Sequence, residues 1–268
     1  MKKLKLAVVG KDVSRSLSPA MHTFILENLG VGCSYETVSV AESDFAALAP
    51  RLFEKYDDFN VTIPFKLSVI PFLDEICGDA AVFGAVNTVD ARNKKGYNTD
   101  GMGFLLMLRN NGVETAGKSV LVLGSGGVGR SVIKKLLDAG AKVFAYDLNR
   151  ENLQKVHDEF PAFTPLESVE AKPYDVVINC TGVGMHRTEG ISPVGGDLLS
   201  LCQTAVDLIY VPAKSEFLRI AESLGKKIVN GEAMLFYQAY FSDCIYLGIE
   251  PSDETAKRLF EKYKEKNV

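Results

Sequence analysis

Short apolar runs alternate with longer segments of helical periodicity along the whole chain. Runs rich in β-branched and aromatic residues predict strands, and apolar residues spaced three and four apart predict helices. In the first part of the chain, strands are predicted over 4–9, 35–40, 59–63 and 85–89 and at Tyr97, and helices over 18–29, 43–55 and 65–77, the last interrupted by Pro71. Ser18 is the predicted N-cap of the first helix, and Pro19 is its predicted first helical residue.

The second part of the chain repeats this alternation. After a helix over 102–111, strands are predicted over 120–123, 143–146, 176–179, 204–207 and 227–229, and helices over 128–139, 150–160 and 215–224. An apolar helix over 233–247 and an amphipathic segment from Asp253 follow. Alternating strands and helices are typical of parallel sheets covered by helices on both faces. The sequence therefore predicts an α/β protein of two domains with a cleft between them.

A glycine-rich loop opens the second part. Gly124, Gly126 and Gly129 follow a buried apolar strand in the spacing G-x-G-x-x-G, and a helix comes next. Such glycines permit a tight turn, the approach of a pyrophosphate and close helix–strand packing, and the helix N-terminus offers free N–H groups. Asp147 ends the next strand, where an acid that binds ribose is expected. The pattern favours dinucleotide binding, and the alternative is a turn without a ligand.

The last helices follow this segment but are too apolar to stand alone, so we expect them to return to the first domain. The predicted domains are a mostly parallel α/β substrate domain, 1–103 with 234–268, and a Rossmann-type dinucleotide-binding domain, 104–233. The chain would then cross between the two domains twice.

Composition narrows the choice of partner. The chain has 268 residues and a net charge of −4, which argues against nucleic acid or an anionic membrane as the main partner. Its five cysteines are scattered, which favours a reducing cytoplasm over disulfides and a zinc site. The apolar run near the start is too short for a signal peptide, and no run approaches the roughly 20 residues of a membrane span. We expect a cytoplasmic protein without a metal site.

Three groups of polar residues follow predicted strands of the first domain. Ser16 and Ser18 could donate hydrogen bonds to a carboxylate, or could form only a turn and a helix cap. Asn60 and Thr62 share one face of the strand that ends before Pro64. Lys66 opens the next segment beside them and is either a proton donor or a surface charge. The third group, over 84–88 and 96–101, has the composition of ordinary turns.

Together these segments resemble the shikimate dehydrogenase family, including its quinate/shikimate relatives. The matching motifs, in chain order, are S-R-S-L-S-P-A-M-H (14–22), N-V-T-I-P-F-K (60–66), G-A-V-N-T (84–88), G-Y-N-T-D-G (96–101), the glycine loop, V-I-N-C-T-G-V-G-M (177–185), D-L-I-Y-V-P (207–212) and N-G-E-A-M-L-F-Y-Q-A (230–239). The resemblance spans nearly the whole chain. It implies reversible reduction of 3-dehydroshikimate to shikimate in chorismate and aromatic amino acid biosynthesis.

The resemblance also implies roles for individual residues. Lys66 and Asp100 would be the catalytic pair. The substrate would be held at its carboxylate by Ser16 and Ser18 with Tyr210 nearby, and at its hydroxyls by Thr62, Asn87, Asp100 and Gln238. The cofactor would be held by Gly124, Ser125, Gly126, Gly127, Val128, Asp147, Asn149, Arg150, Thr181 and Gly182, with Met185 against the nicotinamide and Gly231 near the cofactor.

These roles suit the residue types. Reducing a ketone with a nicotinamide needs a proton for the developing alkoxide, which Lys66 could supply or could stabilise by its charge. Asp100 would orient this lysine and favour its charged form, so shared proton transfer is expected rather than a lysine acting alone as base. The chain departs from the usual family pattern at Thr23, Gly182 and Tyr246.

The expected cofactor is NADP or NAD. Members that use NADP often have N-R-T after the second strand, whereas here Glu151 follows Asn149 and Arg150. The carboxylate of Asp147 suits a ribose hydroxyl and repels a phosphate, while Arg150 favours the phosphate, so the balance favours NAD slightly, or use of both. The alternatives to a shikimate dehydrogenase are a quinate/shikimate dehydrogenase and a nicotinamide-binding sensor without turnover. The expected partners are small molecules, in a monomer or homodimer.

Overall fold

In the computed structural model, residues 3–266 are described, and the chain forms two compact units. Unit 1 comprises Met1–Gly103 with Phe236–Val268, and unit 2 comprises Phe104–Leu235. The outermost limits predicted for the first domain, residues 1 and 268, lie outside the described residues. The chain leaves unit 1 within helix α4 (Asp100–Asn110) and returns to it within helix α9 (Glu232–Leu247).

Unit 1 is built on a six-stranded mixed sheet in the order β2-β1-β3-β5-β6-β4. Its strands are β1 (Leu4–Gly10), β2 (Cys33–Ser39), β3 (Asp58–Val61), β4 (Glu75–Ile76), β5 (Thr88–Asp90) and β6 (Lys95–Tyr97). Strand β1 pairs in parallel with β2 and β3, and β4 pairs in parallel with β6. Strand β5 is antiparallel to both of its neighbours. The prediction of a mostly parallel α/β domain is confirmed, and the antiparallel strand β5 is an addition to it.

The helices of unit 1 include two that the chain adds at its C-terminal end. They are α1 (Ser18–Asn28), α2 (Phe45–Lys55), the short α3 (Asp79–Phe83), the start of α4, most of α9 and α10 (Asp253–Lys266). Aromatic rings join α10 to the rest, since Tyr263 lies 5.3 Å from Phe24 of α1 and 5.2 Å from Phe236 of α9, between ring centroids. Burial of these rings explains why the apolar C-terminal helices pack within unit 1.

Unit 2 carries a second six-stranded sheet, entirely parallel, in the order β12-β11-β10-β7-β8-β9. The strands are β7 (Ser119–Leu123), β8 (Lys142–Tyr146), β9 (Thr164–Pro165), β10 (Val176–Asn179), β11 (Thr204–Asp207) and β12 (Lys227–Val229). The helices between them are α5 (Gly127–Asp138), α6 (Arg150–Glu159), α7 (Gly196–Leu199) and α8 (Glu216–Ser223). The strand order reverses at β7, the strand that precedes the glycine loop, as in other doubly wound dinucleotide-binding folds.

Two local predictions are wrong. Residues 65–77 do not form a helix, because the chain forms turns, a short 3₁₀ segment at Ile70–Phe72 and then strand β4, which pairs with β6. Tertiary pairing therefore overrides the helical pattern. Ser18 is not the N-cap of α1, since the cap position is Leu17 and Ser18 is the first helical residue.

Two features are absent from the described residues. Between residues 3 and 266, no helix combines the length and the apolar character needed to cross a bilayer. Within the same range, no group of three or more His, Cys, Asp and Glu side chains is arranged to hold a metal ion.

Candidate active site

Lys66 and Asp100 form an ion pair in unit 1. The distance from Lys66 Nζ to Asp100 Oδ2 is 2.6 Å, and the two side chains are 23% and 14% exposed. The pair is therefore shielded from most solvent yet still open to a ligand. This pairing places an ammonium group that can donate a proton next to a carboxylate that holds it in place.

The backbone around Lys66 is held by burial of its neighbour. Phe65 is 1% exposed, and its ring stacks on Phe45 of α2 at 4.3 Å between centroids. The carbonyl of Lys66 accepts a hydrogen bond of 2.8 Å from Val86 N. Because both contacts fix the main chain, the lysine is presented from a rigid turn, although no helix is present there.

Asp100 is the first residue of α4, where the positive end of the helix dipole favours a carboxylate. Its backbone N donates to Asn98 Oδ1 at 3.1 Å, and the side chain of Asn98 donates to Ala85 O at 2.9 Å. The turn before α4 is thus tied to the loop between α3 and β5. These bonds fix the start of the helix and with it the direction of the Asp100 side chain.

The carboxamide of Asn87 lies beside this pair, and its orientation is unambiguous. Its Oδ1 accepts from Thr99 N at 3.0 Å, and its Nδ2 donates to Asp100 Oδ1 at 2.9 Å. Nδ2 also lies 3.4 Å from Oε1 of Gln238, on α9. Four of the residues singled out from the sequence, Lys66, Asp100, Asn87 and Gln238, therefore meet within unit 1.

The predicted carboxylate-binding serines lie at the start of α1. Ser16 Oγ accepts from Ser18 N at 3.2 Å, so the turn that was the alternative for this segment is formed. Both serines are half-buried, and Ser18 contacts the buried hydroxyl of Tyr35. Thr62 follows strand β3 and donates its backbone N–H to Val9 O at 2.9 Å. These residues are held by local structure and keep polar atoms available at the surface.

In unit 2, the glycines of the loop after β7 differ in what surrounds them. Gly124 has φ of +92°, and a Cβ at Gly129 would lie 2.0 Å from the carbonyl oxygen of Gly124. Both positions therefore require glycine for the turn and for helix–strand packing. A Cβ at Gly126 or Gly127 would meet nothing within 4 Å. The open space is at the N-terminus of α5, where Val128 is the second helical residue and a phosphate would be favoured.

Asp147 lies directly after β8 and is bound to the glycine loop. Its Oδ2 accepts from Ser125 N at 2.6 Å and from Ser125 Oγ at 2.8 Å, and its Oδ1 accepts from Asn149 N at 2.8 Å. Burial alone would raise the pKa of Asp147, but these hydrogen bonds outweigh it and hold the pKa below its ordinary value. The group is therefore a carboxylate at neutral pH.

Arg150 is the first residue of α6 and follows Asp147 by three positions. Its guanidinium carbon is 4.8 Å from the centroid of the Tyr146 ring, and it donates to Leu166 O at 2.6 Å and to Glu167 O. Asn149 is the N-cap of α6, because its side chain accepts from Asn152 N. A cation and an anion thus flank the end of β8, so the opposing charges expected from the sequence are both in place.

The loop after β10 is organised by Asn179. Its Oδ1 accepts from Thr181 N at 3.0 Å, and its Nδ2 donates to Val183 O and to Asp207 Oδ1. Burial raises the pKa of Asp207 to about 6, while hydrogen bonds from Ser215, Ile209 N and Asn179 oppose the shift. This network shapes the segment with Thr181 and Gly182 that leads to Met185.

Five of the residues singled out in unit 2, Gly124, Gly126, Asp147, Thr181 and Gly182, border one cavity of about 610 Å³, a volume suited to a small ligand or part of a cofactor. It is lined by Leu123, Gly124, Gly126, Tyr146, Asp147, Leu148, Val169, Cys180, Thr181, Gly182, Val183 and Pro193. Met185 and Gly231 are not among the lining residues. A Cβ at Gly231 would lie 2.0 Å from Leu208 O, so this glycine has a packing reason of its own. Tyr210 belongs to unit 2 and is 37% exposed.

Sequence reasoning missed several residues that hold these groups. Asn179 and Asp207 belong to motifs that were noticed, yet neither was given a role. Thr88 and Thr99 lie in the motifs that contain Asn87 and Asp100, but only the fold brings them to Ser242. Ser242 is one of a few polar residues in the mainly apolar helix α9.

Two family models match the chain. Residues 8–89 match the shikimate dehydrogenase substrate-binding domain, and residues 90–193 match the NAD-binding domain of D-isomer-specific 2-hydroxyacid dehydrogenases. The first match covers the segment with the serines, Lys66 and Asn87. The second covers the glycine loop and the loop after β10.

Relatives match over nearly the full chain. A shikimate dehydrogenase (NADP(+)) of Thermus thermophilus is 36% identical and covers 95% of this chain and 98% of its own length. The structure of a chorismate mutase/shikimate 5-dehydrogenase fusion protein from Clostridium acetobutylicum has a TM-score of 0.89 at 33% identity and covers 99% of both chains. The Thermus thermophilus shikimate 5-dehydrogenase in complex with NADP(H) and shikimate has a TM-score of 0.86 at 32% identity, covering 97% of this chain and 99% of its own. The motifs, the two-unit fold and these relatives agree, and the chain belongs to the shikimate dehydrogenase family.

Proposed function

We propose that this protein catalyses the reversible reduction of 3-dehydroshikimate to shikimate with a nicotinamide dinucleotide, as a step of chorismate biosynthesis. The observation that carries the proposal is the pair of Lys66 and Asp100, 2.6 Å apart, with Asn87 and Gln238 beside it. A full-length match to proteins named shikimate dehydrogenase supports the same activity.

In the proposed mechanism, Lys66 Nζ lies against the substrate oxygen that changes between ketone and alcohol. During reduction it donates a proton to the developing alkoxide, and during oxidation it accepts that proton. Asp100 holds the ammonium group in place and accepts a hydrogen bond from a neighbouring substrate hydroxyl. Because the pair is partly buried, its charges act in a medium of lower polarity than water, which strengthens the stabilisation of the alkoxide.

We propose that the remaining polar groups orient the ring. Ser16 and Ser18 donate to the substrate carboxylate, with Tyr210 contributing from unit 2. Thr62, Asn87 and Gln238 bind the hydroxyls. Fixing both ends of the substrate presents one carbon to Lys66, and such orientation accounts for a large share of the rate in reactions of this kind.

The groups present in unit 2 fit a dinucleotide. We propose that Gly126, Gly127 and Val128 at the start of α5 receive the pyrophosphate, where no atom would obstruct its approach at the two glycines. Ser125, Asp147, Asn149 and Arg150 would bind the adenosine ribose, and Thr181, Gly182, Met185 and Gly231 would lie along the nicotinamide half. When bound, the nicotinamide supplies or accepts the hydride.

We propose that both NADP and NAD are accepted. Arg150 would bind the 2′-phosphate of NADP, the cofactor printed in the names of the curated relatives, by exchanging its present bonds to Leu166 O and Glu167 O for the phosphate. Asp147 is a carboxylate beside it, which favours the 2′-hydroxyl of NAD. The two charges oppose each other, so the preference for either cofactor is expected to be small.

The test is a matrix of initial rates, NADP⁺ and NAD⁺ each with shikimate and with quinate. We expect the highest kcat/KM with shikimate and measurable rates with both cofactors. A higher kcat/KM with quinate would assign the protein to the quinate/shikimate relatives. Binding of either cofactor without turnover of either alcohol would show a sensor and overturn the proposed activity.

We further propose a substrate domain of 1–103 with 234–268, a cofactor domain of 104–233 and a cytoplasmic monomer or homodimer. Limited proteolysis with and without NADP⁺ should protect fragments that follow these limits. Light scattering after size exclusion would give the oligomeric state, and a mass of three or more subunits would contradict the proposal.

A further inference from the structure

Ser242 lies one turn beyond Gln238 on α9, completely buried, and its hydroxyl reaches four polar groups. It lies 2.7 Å from Thr88 Oγ1 and 3.2 Å from Thr99 Oγ1. It accepts from Asn60 Nδ2 at 3.2 Å and lies 3.0 Å from the carbonyl oxygen of Gln238. A buried hydroxyl within an apolar helix would be costly if these partners did not satisfy it.

The three hydroxyls and the carboxamide of Asn87 form a closed ring. Asn87 Nδ2 donates to Thr99 Oγ1 at 3.0 Å, and Thr99 Oγ1 is within reach of Ser242 Oγ. Ser242 Oγ is in turn within reach of Thr88 Oγ1, which donates to Asn87 Oδ1 at 2.7 Å. In this direction each hydroxyl donates once and accepts once within the ring, and Thr88 Oγ1 and the carbonyl oxygen of Gln238 compete for the single hydrogen of Ser242.

The ring has a consequence for the pair of Lys66 and Asp100. One hydrogen of Asn87 Nδ2 enters the ring, and the other is directed at Asp100 Oδ1, 2.9 Å away. Removing the Ser242 hydroxyl opens the ring, because Thr88 Oγ1 loses a donor and Thr99 Oγ1 loses an acceptor. The carboxamide of Asn87 then loses part of the hydrogen bonding that fixes its rotation. Asp100 then loses a fixed donor on the side opposite to Lys66.

We propose that Ser242 is a positioning residue that acts through Asn87, holding its carboxamide on Asp100. Ser242 itself touches neither substrate nor cofactor. The inference rests on the proposed function, because the group it positions is the Lys66–Asp100 pair.

The test is a double-mutant cycle on kcat/KM for shikimate. Ser242→Ala is expected to lower kcat/KM about tenfold in the wild-type background. In the Asn87→Ala background the same change is expected to have less than about a twofold effect, because the residue through which Ser242 acts is gone. Additive effects in the two backgrounds would show a general loss of structure and overturn the proposal.

The matched control is Cys244→Ala. Cys244 lies on the same helix, is 2% exposed, and removal of its sulfur truncates the buried side of α9 without touching the ring. Cys244→Ala is expected to keep kcat/KM within about twofold of wild type. Should Ser242→Ala fold poorly, Thr88→Val opens the same ring while retaining a side chain of similar shape, and the same tenfold loss and lack of additivity are expected.

A second readout does not depend on turnover. The side-chain ¹⁵N–¹H resonances of Asn87 are expected to move in Ser242→Ala and to stay unchanged in Cys244→Ala. Unchanged Asn87 resonances in Ser242→Ala would overturn the positioning role even in an active enzyme. If wild-type protein does not oxidise shikimate, the proposed function fails, while the resonances still decide whether Ser242 orients Asn87.

Discussion

The candidate sites of the two units are built in opposite ways. In unit 1, side chains from four distant segments meet, with Lys66, Asn87, Asp100 and Gln238 joined by hydrogen bonds or close contacts. In unit 2, the position proposed for the pyrophosphate is made by main chain, with Gly124 and Gly129 holding the turn and Gly126 leaving it open. Chemistry that moves a proton needs particular side-chain groups, whereas binding of a phosphate needs only N–H groups and space.

The largest expected effect tests the side-chain site. Lys66→Ala removes the proton donor and is expected to lower kcat by about 10²–10⁴-fold with a smaller change in KM for shikimate. Steady-state rates at saturating cofactor measure it. Lys95→Ala, at a lysine of unit 1 paired with Glu75 on the surface, is the matched control and should retain the wild-type rate. Retained turnover in Lys66→Ala would remove this lysine from the mechanism.

The next effect tests the main-chain site through two glycines three residues apart. Gly129→Ala forces a Cβ against the Gly124 carbonyl and is expected to destabilise the apo protein by about 1–3 kcal/mol. Gly126→Ala meets no atom in the apo protein, so its stability should stay near wild type. Its methyl group would occupy space proposed for the pyrophosphate, and we expect cofactor affinity to fall about tenfold, or about 1.4 kcal/mol.

Two measurements on both glycine variants separate the packing role of Gly129 from the binding role of Gly126. Urea unfolding without cofactor measures stability, and fluorescence titration with NADPH measures cofactor affinity. If Gly126→Ala bound NADPH as tightly as wild type, the pyrophosphate would not lie at this glycine. Equal stability of Gly129→Ala and wild type would contradict the packing role of Gly129.

A smaller effect is expected at the charges that flank β8. Arg150→Ala should lower kcat/KM with NADP⁺ about fivefold to tenfold and change the value with NAD⁺ little, because only NADP⁺ carries the 2′-phosphate. Asp147→Asn should shift the ratio of the two values toward NADP⁺, since it removes the repelling charge but keeps an acceptor for Ser125. Equal changes with both cofactors would show that these residues only maintain the loop.

The last prediction concerns stability and pH in unit 1. Burial raises the pKa of Asp58 to about 8, Asp90 adds to the shift, and the Arg92 guanidinium opposes it. The folded protein therefore holds a proton that the unfolded chain releases near pH 4, and the free energy of unfolding falls as pH rises toward 8, by at most about 1.4 kcal/mol per pH unit. The pKa values of Asp243 and Asp207 are raised only to about 6, so of these three carboxyl groups Asp58 loses its proton at the highest pH.

Urea unfolding at pH 6, 7 and 8 measures this slope. Asp58→Asn should flatten it, and Asp44→Asn, at an exposed carboxylate of the same unit, should leave it unchanged. A slope that persists in Asp58→Asn would assign the proton to another group.

The alternation of strands and helices predicted much of the fold. Strands 176–179, 204–207 and 227–229 have the predicted limits, because each contains consecutive apolar residues in a segment too short for a helix. The segment 65–77 was mistaken for a helix, because its apolar spacing is helical while strand β4 depends on pairing with β6. Short apolar segments carry too little information to exclude such pairing.

Sequence motifs identify the residues of the candidate site, but they do not identify Ser242, which contacts the residues around Asn87. Asn87 and Asp100 could be singled out because they belong to short recognisable segments. Ser242 could not, since its neighbours Thr88 and Thr99 are more than 140 positions away in the chain. Contacts of this kind exist only after folding, so a pattern that is local in sequence does not contain them.

Unit 2 is an insertion into unit 1, because the chain enters it within α4 and leaves it within α9. During synthesis, all of residues 104–235 therefore leave the ribosome before Gln238 and Ser242 do. The sheet of unit 2 can therefore form before Gln238 and Ser242 complete the substrate site. Partially synthesised chains should acquire affinity for NADPH before affinity for shikimate. Binding of NADPH and of shikimate would be measured on ribosome-bound chains stalled near residue 235 and on chains extended past the C-terminus. The comparison gives the order in which the two affinities appear.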